Sequence, residues 1–392
     1  MSRIMPLDVA VVGGGVVGAS CALSLARAGL EVALVEAREP MPWSSSTPDL
    51  RVYAIAPDST ALLQQLGVWD GVRQARAQPY RRMRVWDAVG GGELDFDADK
   101  LGRPQLGFIV ENALLQQHLW HALPAAGVRL HCPARVDSLE QDDGLARLRL
   151  DDGTRLAARL VVAADGAESS LRELAGLSTS AHDYGQRAIV AFVDSDAPHD
   201  CTAWQRFLPG GPLALLPFTQ GRSSIVWTLP EAEATRLLAL SDADFERELT
   251  AAAQGRLGAM RLASARAAFP LRRQLAREYV AGRVLVVGDA AHVVHPLAGQ
   301  GVNLGLRDVA ALATSIEQAR TRQLPWDAPH RLARWSRNRR SENAAAAFTF
   351  EGINRLFSND EMHASLVRGP LLGLAGKLPG LSQLLWRKAS GG

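Results

Sequence analysis

The chain has 392 residues, 43 Lys+Arg against 41 Asp+Glu for a net charge of +2, 47% hydrophobic and 21% charged residues. That length asks for two domains, the composition is that of a globular protein, and the balanced charge leaves no basic field for nucleic acid. Three cysteines, Cys21, Cys132 and Cys201, are far apart and form no C-x-x-C pair, which speaks against a disulfide framework and against a zinc or iron–sulfur site, and no metal is expected. No run of about 18 apolar residues is present to span a membrane, and the first strand starts too early to leave room for a signal peptide. The expectation is a cytoplasmic protein.

Leu7–Val12 is a short apolar run, the pattern of a strand buried on both faces. A small-residue helix follows over Val16–Ala28, Gly29 closes it, and a second strand covers Glu31–Val35. The turn of this βαβ unit reads Gly13-x-Gly15-x-x-Gly18. Gly13 permits the tight turn, Gly15 lets backbone approach a pyrophosphate, and Gly18 lets helix and strand pack closely. The helix N-terminus offers unpaired N–H groups and the positive end of its dipole. Glu36 stands 18 residues past Gly18, where a carboxylate can accept from a ribose hydroxyl. Dinucleotide binding follows; whether the dinucleotide is FAD or NAD is open at this point. A second G-x-G-x-x-G is absent, and "AVGGGELDF" reads as a hairpin turn.

Next in the chain, "YRRMRVWDAVGGGELDF" and the stretch from Arg187 to Pro230 alternate as antiparallel strands do. Between them, Leu160–Ala164 is a strand, Asp165-Gly166 a turn and Ser169–Ala175 a short helix. Asp165 either caps that helix or belongs to a ligand site. Trp204, Leu215, Phe218 and Trp227, with Phe207, Leu213 and Pro217, either wall an apolar pocket or are ordinary sheet core. Val284–Val287 is a buried strand that ends at Gly288-Asp289, where an Asp can accept from a sugar-alcohol hydroxyl. A loop with Pro296, Gly299 and Gly301 leads into a helix from about Val302, and its bare N–H groups suit a ligand that gains negative charge. His292 and His295 are candidate bases, though a loop histidine more often satisfies backbone. Beyond Trp335 the sequence is helical, with Arg337, Arg339 and Arg340 expected on a solvated face. The terminal "MHASLVRGPLLGLAGKLPGLSQLLWRKAS" either rests on a membrane surface or partner or packs as a helix pair.

Together, the glycine turn, "ARLVVAADGAESSLRELAGL" and "GDAAHVVHPLAGQGVNLGLRDV" resemble the FAD-dependent aromatic hydroxylases of the para-hydroxybenzoate hydroxylase fold. With "RVYAIAPDSTALLQQLGVWD" and "QRFLPGGPLALLPF" the resemblance narrows to the ubiquinone-biosynthesis hydroxylases, over about Leu7 to Arg340. It implies an α/β protein: a Rossmann-like FAD-binding domain (residues 1–75, 104–180 and 271–340), an inserted mainly antiparallel substrate domain (76–103 and 181–270), and a C-terminal helical region (341–392). FAD would lie extended, its adenosine end on Gly13, Gly15, Gly18 and Glu36. Arg51 would sit near the diphosphate and ring, Asp165 would serve FAD and nicotinamide use, and Gly288-Asp289 the ribitol. Pro296, Gly299, Gln300, Gly301, Val302 and Asn303 would line the isoalloxazine, with Pro296, Gln300, Gly301 and His295 closest to the chemistry. Asn112 stands where many relatives carry Arg, which leaves Gln116 as the polar contact there.

The resemblance further implies NAD(P)H as a transient reductant and oxygen-atom transfer from a flavin C4a-hydroperoxide to an electron-rich ring, with no side-chain nucleophile. The expected partners are a polyprenylated phenol or benzoquinol of ubiquinone biosynthesis, O2, and other proteins of that pathway, with peripheral contact at the inner membrane left open. Two rival readings stand beside it: a flavin hydroxylase of a soluble aromatic compound, and a flavin-carrying accessory subunit without turnover.

Overall fold

Every residue of Leu7–Val12 but Asp8 is buried, because this strand lies at the middle of a parallel sheet covered on both faces. A computed structural model describes residues 5–87, 93–142, 144–295 and 301–358. In it the sheet order is Val280–Ala281, Val284–Val286, Arg155–Ala163, Leu7–Val12, Val32–Val35 and Arg129–His131. The four central strands and Arg129–His131 run parallel. Val9 pairs with both Val32 and Leu160, so the chain leaves the first strand to one side and later returns on the other. That reversal opens a crevice at the strands' carboxyl ends.

The helix Val16–Arg27 packs on this sheet through small residues. A Cβ on Gly18 would lie 1.9 Å from the Gly13 carbonyl oxygen, and one on Gly13, at φ +104, would lie 2.3 Å from that of Ala164. Only glycine allows either approach. The helix Gly301–Thr321 lies alongside, and its Gly305 approaches Gly288: a Cβ there would meet the Gly288 Cα at 3.1 Å. The helix Pro329–Ser358 follows.

A second, mainly antiparallel sheet carries the long strand Thr179–Ser195 at its centre, flanked by Ala267–Ala276 and Ser223–Pro230. It continues through Gly211–Pro217 and Thr202–Leu208. It ends in the hairpin strands Arg82–Asp87 and Glu93–Asp97, so the expected hairpin is present; its turn lies outside the described residues. One pairing, Thr202–Leu208 with Arg82–Asp87, is parallel. Helices Glu231–Ala239 and Asp242–Ala252 cover one face of this sheet, and the other faces the crevice. A three-stranded sheet of Val52–Ile55, Gly107–Glu111 and Gln78–Tyr80 completes the frame. No described helix is long and apolar enough to cross a membrane.

Candidate active site

The crevice encloses about 1040 Å³. It runs from the glycine turn (Gly13, Gly15, Glu36), past Arg51, Gln116, Asp165 and Asp289, to an apolar wall of Val190, Ala214, Leu216, Val226 and Phe269. Polar groups thus gather at one end and hydrocarbon at the other.

At the polar end the fit to an extended dinucleotide can be tested residue by residue. Gly15 caps the first helix without a side chain, and a Cβ added there would meet nothing within 4 Å. The glycine therefore faces open crevice, beside helical N–H groups free to meet an anion. Glu36 accepts from the amides of Gly14 and, at 3.1 Å, of Arg38. A carboxylate has further lone pairs, and these front the crevice. The donor set and the shape suit the pyrophosphate and ribose of FAD.

Gln116 lines the crevice, and its Nε2 donates to the Gly14 carbonyl at 2.9 Å. Trp120 donates to the same oxygen from Nε1 at 2.7 Å. Sequence reasoning missed Trp120. The available signal was its spacing: four residues after Gln116, on one face of the helix Asn112–Ala125. Asn112 accepts from the Tyr53 hydroxyl at 3.1 Å. Burial pushes the Tyr53 phenol up to about 12, against the pull of Arg51 beside it. The Arg51 guanidinium is largely exposed in the crevice, 5.5 Å above the Tyr53 ring and 4.0 Å from Asp289.

Asp165 lines the crevice and also caps: it accepts from the Ser169 hydroxyl and, at 3.1 Å, from the Leu171 amide at the start of the helix Ser170–Leu174. Asp165 therefore caps that helix from a position in the crevice lining. Asp289 presents a half-exposed carboxylate to the crevice from the turn Gly288–Ala290, with Gly288 at φ +59. Gly301 and Val302 line the crevice; Pro296, Gly299 and Gln300 lie outside the described residues.

Six residues correct the sequence reading. The Asn303 side chain does not reach the crevice. It donates to the Ala54 carbonyl at 2.8 Å and accepts from the Ala56 amide at 2.9 Å, which fastens the Gly301–Thr321 helix to the strand Val52–Ile55. Leu215 and Trp227 point to the opposite face of their sheet, into the core with Phe245 and Leu249 of the covering helices. Trp204 pairs with Leu215 and shares that face. Because helices cover one face and the crevice the other, both faces are apolar and alternation gives no parity; the crevice side belongs to Ala214, Leu216 and Val226. Phe218 stays on the crevice side but behind its wall, packed on Phe192 at 4.6 Å. Arg339 is buried at 5% exposure rather than solvated, while Arg337 and Arg340 are exposed as expected.

His295 is buried, and neither ring nitrogen finds a partner among the described residues. Burial lowers its pKa to about 4. Tyr184 meets it edge-on at 5.3 Å, and it is not part of the crevice wall. His292 instead joins Asp308 at 2.6 Å in a buried network. No group of three or more His, Cys, Asp or Glu residues suited to a metal occurs among the described residues.

Comparison with known proteins agrees with this geometry. The FAD binding domain family model matches residues 6–346. The 3-demethoxyubiquinol 3-hydroxylase of Escherichia coli (strain K12) is 41% identical over 340 residues, 86% of each chain. The ubiquinone hydroxylase UbiL of Rhodospirillum rubrum is 39% identical over 389 residues, 98% of this chain and 89% of that one. Among solved structures, p-nitrophenol 4-monooxygenase PnpA of Pseudomonas putida DLL-E4 has a TM-score of 0.78 at 22% identity, over 99% of both chains. Klebsiella pneumoniae HpxO, solved with FAD and uric acid, has a TM-score of 0.75 at 20% identity, over 97% of both. The two structural likenesses establish the fold. The sequence matches establish that the chain belongs to the FAD-binding-domain family and, within it, to the ubiquinone-biosynthesis hydroxylases.

Proposed function

We propose that this chain hydroxylates the ring of a polyprenylated phenol or benzoquinol intermediate of ubiquinone biosynthesis, with FAD bound, NAD(P)H as transient reductant and O2 as oxidant. The observation that carries the proposal is the continuity of one crevice from the glycine turn to the apolar wall. Bound and reduced FAD supplies the activated oxygen atom. The protein's own tasks are to bind, orient and exclude water.

Gly13, Gly15 and the first helical amides take the diphosphate, Glu36 a ribose hydroxyl, and Asp289 the sugar-alcohol chain, with Arg51 facing the diphosphate. Gln116 and Trp120 hold the Gly14 carbonyl and so keep the turn in shape. Segments 1–75, 104–180 and 271–340 act as the flavin-binding unit, and 76–103 with 181–270 as the ring-binding unit. Val190, Leu216, Val226 and Phe269 receive the ring; hydrocarbon there keeps water from the reacting atoms. Among the described residues no charged side chain belongs to that wall, which suits a neutral ring better than a carboxylated one. The long apolar tail of such a substrate supports delivery from a membrane surface by peripheral contact.

Loss of the gene, followed by mass spectrometry of the quinone precursors, tests the proposal. A precursor lacking one ring oxygen is expected to accumulate; an unchanged quinone profile overturns it.

A further inference from the structure

Asp308 lies at 0% exposure on the helix Gly301–Thr321 and collects four donors. One oxygen accepts from the Gly288 amide at 3.1 Å and from His292 Nε2 at 2.6 Å. The other accepts from Arg339 Nε at 2.8 Å and Asn343 Nδ2 at 2.9 Å. A second donor of the Arg339 guanidinium reaches Asn343 Oδ1 at 2.9 Å. Asn343 Nδ2 also approaches the Tyr279 hydroxyl at 3.4 Å, and the Tyr279 ring stacks on His292 at 6.2 Å. All of these side chains are buried.

A buried carboxylate is tolerated when its charge is matched and its lone pairs are filled. Here the match comes from the helix Pro329–Ser358, and one of the filled positions is the amide of the residue just before Asp289. The close approach of Gly305 to Gly288 fixes the distance between the two elements. A chain of direct contacts therefore runs from Arg339 through Asp308 to the Gly288–Asp289 turn, whose carboxylate faces the crevice.

We infer that Arg339 and Asn343 are positioning residues for the flavin: acting through Asp308, they hold the Gly288–Asp289 turn in the shape that receives the cofactor. The helix Pro329–Ser358 is thereby part of the cofactor site although none of its described residues lines the crevice. This inference concerns FAD binding alone and does not depend on which ring is hydroxylated.

The test is FAD affinity of the apoprotein, measured by flavin fluorescence titration alongside the melting temperature of the FAD-free form. Arg339→Met alone strands a buried carboxylate, so the informative variant is Asp308→Asn combined with Arg339→Met, which leaves no buried charge. It is expected to fold and to bind FAD about tenfold more weakly, the scale at which residues behind a bound group act. Arg339→Lys, which keeps the charge, should recover most of that affinity. Ile316→Ala, on the same helix and buried outside the network, should lower the melting temperature without changing FAD affinity. Wild-type affinity in the double variant, a failure of Arg339→Lys to recover affinity, or an equal loss in Ile316→Ala would overturn the inference.

Discussion

Gln116 reaches across 102 residues of chain to donate to the carbonyl of Gly14 at 2.9 Å. The glycine turn is therefore braced from outside the βαβ unit, by Gln116 and by Trp120 one helical turn later. Replacing Gln116 with Leu or Trp120 with Phe removes one hydrogen bond each, a loss of about 1 kcal/mol. We expect FAD affinity to fall roughly fivefold for each single variant, and further for the pair, in titrations of the apoprotein.

Glycines 13 and 15 should separate folding from binding. Gly13→Ala places a methyl against the Ala164 backbone at a φ of +104, and we expect a loss of about 3 kcal/mol or more in chemical denaturation of the FAD-free protein. Gly15→Val meets open space. It should leave that stability within about 1 kcal/mol while abolishing FAD uptake, because the crevice itself is filled.

The two faces of the second sheet make opposite predictions. Leu215→Ala opens a cavity against the covering helices and should cost about 2–5 kcal/mol, with KM for the ring substrate unchanged in the folded fraction. Val226→Phe intrudes on the crevice instead. It should raise KM severalfold with little change in melting temperature. Equal effects of the two on KM would contradict the assignment of faces.

The burial of His295 carries a pH dependence. Its folded pKa, about 4, lies below the ordinary 6.5, so the unfolded chain takes up a proton first as pH falls. Its contribution is complete above about 6.5 and is lost progressively down to about 4, by about 3 kcal/mol at most. Urea denaturation of the FAD-free protein across that range should show the slope, and His295→Phe should flatten it.

The parallel sheet and its glycine turn were readable from the sequence because burial on both faces makes an unbroken apolar run and because tight approaches demand glycine. Leu7–Val12 forms as expected, and the helix at Val16 ends one residue short of its expected limit. What could not be read shares one cause: a choice between two surfaces that look alike in one dimension. Leu215 and Leu216 are adjacent leucines on opposite faces of a sheet that is apolar on both. Arg339 sits in a run with Arg337 and Arg340, and only the turn of the helix Pro329–Ser358 brings it against Asp308. Asn303 carries a side chain suited to a ligand, yet a backbone edge from Ala54 and Ala56, nearly 250 residues away, meets it first.

The most direct test of a single crevice serving flavin and ring is oxygen transfer with isotopically labelled dioxygen. Purified, FAD-loaded protein is given NAD(P)H and a polyprenylated benzoquinol precursor in detergent, and the product is weighed by mass spectrometry. One labelled oxygen atom on the ring is expected from the wild-type protein, with much less product from Val226→Phe. Release of peroxide alone, with the precursor recovered unlabelled under all conditions, would contradict the account.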